Sequence, residues 1–167
     1  SLRETSVQKE LREAMETHPH GEMQTSPEQV QFMAMLISAI GGRRAIEVGV
    51  FTGYSAMAIA HALPADGELM AIARTWWAKD GVEDRITPMV GPAVESLEEL
   101  LAAGGAGTYD FMYVDADKEN SLNYYELGLQ LLRTGGIICI DNMFRGGDVT
   151  DASCNDESTV ATRELAR

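Results

Sequence analysis

Several common protein features are scarce or absent in this sequence. Its two cysteines, Cys139 and Cys154, lie far apart without a C-x-x-C pair, so we expect reduced thiols and a cytoplasmic protein. Apolar runs fall far short of the roughly 18 residues that a membrane-spanning helix needs. No signal peptide is recognisable. We therefore expect no membrane-embedded part.

Basic side chains are also scarce. Lysine and arginine number 13 against 26 acidic residues, which gives a net charge of -13. This excess disfavours nucleic acid as a partner and makes an anionic membrane surface repulsive. With 167 residues and 45% hydrophobic content, the chain is long enough for one domain with a substantial core, but not for two.

Two phosphate-binding patterns are missing as well. The chain has no G-x-x-x-x-G-K-S/T loop, and residues 49–54 read Gly-Val-Phe-Thr-Gly-Tyr instead of the dinucleotide pattern G-x-G-x-x-G. The sequence therefore gives little support for a nicotinamide- or flavin-dependent oxidoreductase. It remains compatible with a protein that binds a nucleoside and whose turn need not hold a pyrophosphate.

The most informative segment of the sequence is a predicted strand followed by a turn with a glycine at each end. Residues 45–48 are short and mostly apolar, typical of a buried parallel strand. Gly49 and Gly53 follow, and Tyr54–Ala62 has the composition of a helix. The glycines permit positive φ or close backbone approach, so amides at the helix start can contact a ligand. A tight turn without any ligand is the alternative.

Similar units recur along the chain and predict its fold. Val7, Leu11 and Met15 mark a first helix, and Ser26 caps a second, with Gln29 completing a capping box. Alternating strands and helices imply a doubly wound α/β sheet, mainly parallel, with helices on both faces. We expect one domain over residues 1–167, with N-terminal helices in 1–42 and the sheet in 43–167. The further predicted strands are 68 to about 72, 85–90, 109–114 and 137–140, and the further helices lie in 73–79, 94–101, 122–132 and 156–167.

Polar residues follow the last two strands. Asp115-Ala116-Asp117-Lys118 ends one and Asp141-Asn142 ends the next, so both reach the carboxyl edge of the sheet. Two carboxylates and an amide oxygen suit magnesium or calcium. Each residue alone is more often a helix cap or turn former. For Lys118, an exposed lysine at a helix start is the favoured interpretation from sequence alone.

Together these motifs resemble the caffeoyl-CoA and catechol O-methyltransferase family. The resemblance rests on residues 47–55, Glu-Val-Gly-Val-Phe-Thr-Gly-Tyr-Ser, with 113–120, Tyr-Val-Asp-Ala-Asp-Lys-Glu-Asn, and 140–142, Ile-Asp-Asn. Shorter matches at 23–24, 81–86 and 91–93 extend it over nearly the whole chain. It implies an S-adenosylmethionine-dependent O-methyltransferase that acts on a small hydroxylated acceptor, forms a homodimer and uses a divalent cation, Mg²⁺ first, with Ca²⁺ or Mn²⁺ open.

The resemblance also implies roles for individual residues. Lys118 would be the base, with Asp115 as the second catalytic residue. Asp115, Asp141 and Asn142 would bind the metal. The cofactor would be bound by Met23, Thr25, Glu47, Gly49, Val50, Ser55, Ala93, Asp115 and Asp117.

The chain departs from the family in three respects, two of which concern missing segments. Family members have an acidic residue just after the second strand, for the ribose hydroxyls, but here Leu69–Ile72 runs into a helical pattern with no turn residues. Members also continue past the final helix with further strands, so we expect a sheet without its last strands. A cofactor-binding but catalytically impaired module is therefore the alternative function.

Overall fold

The computed structural model describes residues 2–71 and 77–167. Its centre is a sheet of five parallel strands in the order β3-β2-β1-β4-β5. The order reverses between β1 and β4, which is where open α/β sheets bind ligands. The predicted doubly wound fold is confirmed. The strands are β1 Arg44–Val48, β2 Glu68–Ala71, β3 Ile86–Pro88, β4 Tyr109–Val114 and β5 Leu132–Ile140.

Helices cover both faces of this sheet, as predicted. The helices are α1 Ser6–Met15, α2 Pro27–Ala39, α3 Tyr54–Ala62, α4 Trp77–Asp80, α5 Ala93–Ala102, α6 Ser121–Leu131 and α7 Glu157–Leu165, with short 3₁₀ turns at Gly21–Met23, Glu83–Arg85 and Arg145–Thr150. One core lies under α1, α2 and α3, and the other lies under α5 and α6. No helix in the described ranges is long and apolar enough to cross a membrane.

Strand β4 joins the two cores. All six of its residues are buried, because it lies between β1 and β5 with helices on each face. Phe111 and Tyr113 pack into the core of α1–α3, whereas Met112 and Val114 pack into the other. Alternate side chains of a strand point to opposite faces, so a strand buried on both sides has a nearly continuous apolar sequence.

Two strand boundaries differ from the prediction. Strand β3 is shorter than residues 85–90, and β5 begins at Leu132 rather than at Ile137. The pairing of β4 with β5 shifts register between Tyr109 and Phe111. A Cβ at Gly136 would lie 3.0 Å from the carbonyl oxygen of Asp110, so glycine allows this close and irregular approach. The expected turn is therefore part of the strand.

Only one of the two hydrogen bonds of the predicted capping box of α2 is present. The Ser26 hydroxyl accepts a hydrogen bond from the Gln29 backbone N–H at 3.3 Å, but the Gln29 side chain contacts residues of the sheet instead of the cap. A complete capping box occurs on α1, between Thr5 and Gln8.

The predicted gap after the second strand, with Ile72 and the helical pattern at 73–76, lies outside the described residues.

Candidate active site

The ends of β1, β4 and β5 meet at one edge of the sheet. The Asp115 N–H donates to the Val48 carbonyl at 2.8 Å, and the Asp141 N–H donates to the Val114 carbonyl at 2.9 Å. Each backbone bond extends the ladder by one residue past the strand. The two polar motifs therefore lie side by side, next to the end of β1.

Two carboxylates face one hydroxyl group at this edge. Tyr113 Oη donates to Asp141 Oδ2 at 2.6 Å, and Asp115 Oδ2 lies 3.5 Å from the same Oη. Burial raises the pKa of Asp115, and the negative charge of Asp141 raises it further. Two carboxylates so placed repel each other, and a bound cation would relieve that repulsion.

Lys118 belongs to this cluster. Its Nζ donates to Asp115 Oδ1 at 3.3 Å, and its side chain is only 13% exposed. The interpretation of Lys118 as an exposed lysine at a helix start is therefore wrong. The three-residue spacing, just before α6, places the ammonium group over the carboxylate.

Asn142 adopts a backbone conformation that few non-glycine residues adopt. Its φ is 58°, in the left-handed region that asparagine tolerates better than most side chains. Its N–H donates to Asp141 Oδ1 at 2.6 Å. The residue is exposed, so its amide oxygen can reach a ligand at the edge of the sheet.

Glu47 is fully buried at the end of β1. The Ser55 hydroxyl donates to its Oε1, whereas Oε2 is buried without a hydrogen-bond partner among the described residues. Burial raises the pKa of this carboxyl to about 8. An unpaired buried polar atom is costly, so the geometry favours a ligand that donates a hydrogen bond to Oε2.

The glycines of the β1–α3 turn have the predicted conformation. Gly49 and Gly53 have φ of 87° and 89°. A Cβ at Gly49 would lie 2.0 Å from the carbonyl oxygen of Asp115, so only glycine fits. The turn therefore packs directly against the segment that carries Asp115 and Lys118.

A family model for O-methyltransferases matches residues 1–167. The chain belongs to the O-methyltransferase family. Among curated relatives, "Probable caffeoyl-CoA O-methyltransferase 1" of Dictyostelium discoideum is 40% identical over 175 residues, which cover 96% of this chain and 75% of the relative.

Solved structures agree with this assignment. The O-methyltransferase TomG of Streptomyces achromogenes, in complex with SAM, has a TM-score of 0.89 and 29% identity, covering 99% of this chain and 78% of that one. An O-methyltransferase of Bacillus cereus, in complex with SAH, has a TM-score of 0.85 and 27% identity, covering 99% and 79%. The predicted family, fold and enzyme class are confirmed.

Most of the residues that this family resemblance assigns to the cofactor surround the same edge. Thr25 Oγ1 lies 3.3 Å from Tyr113 Oη, and Val50 packs partly buried against the core. Ala93 is the first residue of α5. Met23 is exposed in the turn before α2. Their contacts with the cofactor remain predictions.

Asp117 lies apart from the cluster. Its carboxylate accepts hydrogen bonds of 2.5 Å from Tyr124 Oη and from Asn120 Nδ2. Both donors belong to the start of α6 or the residue before it. The structure therefore shows Asp117 bracing this helix, and its predicted contact with the cofactor remains a prediction.

Sequence reasoning missed two members of the site. Tyr113 belongs to the motif at residues 113–120, which predicts no role for its hydroxyl, and the pattern around Gln29 predicts a helix cap. Gln29 Nε2 donates to Asp141 Oδ2 at 3.0 Å and to Tyr113 Oη at 3.3 Å. Nothing in the local sequence of α2 indicates that it meets a strand end 112 residues further on.

The donor set at this edge consists of oxygen atoms. Within the described ranges, no three His, Cys, Asp or Glu side chains are grouped closely enough to hold a metal ion. A metal here would therefore need Asn142 or water in addition to Asp115 and Asp141. That set fits a hard cation such as Mg²⁺, which keeps several waters when bound.

Proposed function

We propose that this O-methyltransferase moves the methyl group of S-adenosylmethionine to one of two vicinal hydroxyls of a small aromatic or natural-product acceptor. The observation that carries the proposal is the cluster at the sheet edge, where Asp115 and Asp141 face one hydroxyl and Lys118 lies 3.3 Å from Asp115. It combines a cation-binding oxygen set with a candidate proton acceptor.

The turn after β1 supports S-adenosylmethionine as the cofactor. Its two glycines have positive φ, and Glu47 Oε2 lacks a donor among the described residues. S-adenosylmethionine carries an ammonium group and two ribose hydroxyls, and each can donate a hydrogen bond. The SAM-bound and SAH-bound relatives have the same fold.

Asp115, Asp141 and Asn142 would hold the divalent cation. The donor chemistry favours Mg²⁺ and also allows Ca²⁺ or Mn²⁺. The pKa of Asp115 is raised by burial and then by Asp141, in spite of the nearby Lys118, as expected for buried carboxylates that lie close together. When bound, a divalent cation supplies the positive charge that makes a nearby hydroxyl easier to deprotonate.

The residues of the chain position the reactants and move one proton. Lys118 would serve as the base that accepts the proton of the acceptor hydroxyl. The acceptor oxygen then forms a bond to the methyl carbon while the carbon–sulfur bond breaks, and S-adenosylhomocysteine remains. Because both reactants are held together, much of the rate enhancement comes from positioning.

The proposal also includes a homodimer in the cytoplasm, without nucleic acid or membrane as a partner. The net charge of -13 supports the two exclusions. Phe32 and Met35 on α2 are more than half exposed, which supports a protein contact on that helix.

Transfer of a labelled methyl group from S-adenosylmethionine to a catechol tests the function. We expect transfer with Mg²⁺ and none after chelation. Lys118→Met should lower kcat by about 100-fold or more, whereas Lys9→Met, on the exposed face of α1, is the matched control. Transfer that persists without any divalent cation would contradict the metal site. Cofactor binding without transfer to any vicinal diol would support the impaired module instead.

A further inference from the structure

Four side chains meet at the Tyr113 hydroxyl: those of Asp141, Asp115, Gln29 on α2 and Thr25 in the linker before α2. Tyr113 Oη donates to Asp141 Oδ2 at 2.6 Å. Gln29 Nε2 lies 3.3 Å and Thr25 Oγ1 also 3.3 Å from the same Oη. Gln29 Nε2 in addition donates to Asp141 Oδ2 at 3.0 Å. The segment from Thr25 to Gln29 is therefore tied to the end of β5.

The direction of each hydrogen bond follows from the chemistry of a phenol. Tyr113 has one proton to donate and two lone pairs to accept. The shortest contact, to Asp141, takes the proton, so Gln29 and Thr25 donate to Oη.

These donors leave the two oxygens of Asp141 unequal. Oδ2 accepts from Tyr113 and from Gln29, which uses both of its lone pairs. Oδ1 accepts only from the Asn142 N–H among the described residues. The oxygen with a free lone pair is thus Oδ1, and the two side-chain donors hold it in place.

We propose that Gln29 and Tyr113 are positioning residues that couple the segment 23–29 to Asp141, so that cofactor binding and cation binding strengthen each other. This inference rests on the proposed function, in which Asp141 binds the cation, and on the family resemblance, which implies that Met23 and Thr25 lie against the cofactor. Gln29 and Thr25 already contact Tyr113 in the structure, and a cofactor that packs against Met23 and Thr25 would stabilise this arrangement. The Asp141 carboxylate is then already oriented when the cation arrives.

Such coupling must be reciprocal. If S-adenosylhomocysteine raises the affinity for a cation by some factor, the cation raises the affinity for S-adenosylhomocysteine by the same factor. A residue that serves stability alone would change both affinities or the melting temperature, but would not remove this factor selectively.

The experiment is calorimetric titration of Mn²⁺ into the 167-residue chain, with and without saturating S-adenosylhomocysteine. The same cycle is measured in the reverse order, with S-adenosylhomocysteine titrated in the presence and absence of Mn²⁺. We expect each ligand to tighten the other by about 10-fold in the wild-type protein. Gln29→Leu and Tyr113→Phe should each bring that factor close to one.

Gln31→Leu is the matched control. Gln31 lies two residues further along α2, and its side chain contacts the Arg3 N–H and the Pro27 carbonyl rather than the site. It should keep the full coupling. Melting curves confirm that each variant is folded, and Tyr113→Phe, which conserves the ring, serves if Gln29→Leu does not fold.

Coupling that survives in both variants would overturn the inference. So would a wild-type protein that binds both ligands independently, and in that case the proposed function would stand. A wild-type protein that binds neither ligand would overturn the proposed function and the inference together.

Discussion

The carboxyl group of Glu47 is buried in its protonated form, and only one of its two oxygens has a hydrogen-bond partner among the described residues. Ser55 donates to one oxygen, and the other has no donor among the described residues. Burial raises its pKa from 4.5 to about 8. Between these values the unfolded chain has lost this proton while the folded protein retains it, so the free energy of unfolding falls as the pH rises.

The pH dependence of stability tests this account of Glu47. Glu47→Gln cannot ionise, so without cofactor it should gain stability over the wild type as the pH rises from about 5 to about 8, by roughly 1–4 kcal/mol. Chemical denaturation at several pH values measures the difference. Glu22→Gln, at an exposed position, is the matched control. A constant difference for Glu47→Gln across this range would show that Glu47 ionises normally.

The residues at the strand ends were predictable, because the carboxyl ends of parallel strands converge at one edge. Asp115, Asp141 and Asn142 follow from that rule. Gln29 does not, because its partners depend on how a separate helix packs against the sheet. The contact between Lys118 and Asp115 could not be predicted either, because the sequence does not distinguish a lysine that makes an i, i+3 contact just before a helix from an exposed one.

At the scale of elements, the loop between β4 and α6 is held by its own helix. Tyr124, buried on α6, donates to Asp117 at 2.5 Å, and Asn120 donates to the other oxygen at 2.5 Å. The loop that carries Asp115 and Lys118 is thereby fixed at both ends, by the β4 ladder and by α6. Its shape therefore depends on α6 as well as on the sheet.

Removal of the Tyr124 hydroxyl tests this brace. Tyr124→Phe leaves the ring packed but removes the hydrogen bond to the Asp117 carboxylate, so the free energy of unfolding should fall by roughly 1.5–3 kcal/mol. Equilibrium denaturation measures the change. Tyr125→Phe, one residue further along the same helix, is the control. Equal stability of Tyr124→Phe and the wild type would mean that water replaces this hydrogen bond fully.

Strand prediction succeeded where burial dominates and failed where backbone geometry decides. β4 was predicted residue for residue, since both its faces are buried. The start of β5 was missed by five residues, because a Gly-Gly pair that indicates a turn instead allows an irregular strand beside Asp110. Composition does not distinguish these two uses of glycine.

At the scale of the whole molecule, the acidic surface and the exposed apolar residues of α2 act in opposite directions. A net charge of -13 opposes association, whereas the side chains of Phe32 and Met35 are 55% and 57% exposed. The homodimer proposed above requires the apolar contact to outweigh the repulsion, and salt should favour it by screening the charges.

Sedimentation velocity at moderate salt tests the dimer. We expect a particle of two chains, and a variant with Phe32→Glu and Met35→Glu should sediment as one chain. Leu129→Glu, on the exposed side of α6, is the control and should remain dimeric. A wild-type protein that is monomeric at micromolar concentrations would contradict this proposal without affecting the methyltransferase site.

The central claim is that the edge formed by β1, β4 and β5 binds S-adenosylmethionine beside a divalent cation. The most direct measurement is calorimetric titration of S-adenosylmethionine into the 167-residue chain, with and without Mg²⁺. We predict one binding site per chain that Gly49→Ala abolishes, since a Cβ there would collide with the Asp115 carbonyl. A folded wild-type sample that binds no S-adenosylmethionine under either condition would contradict the claim.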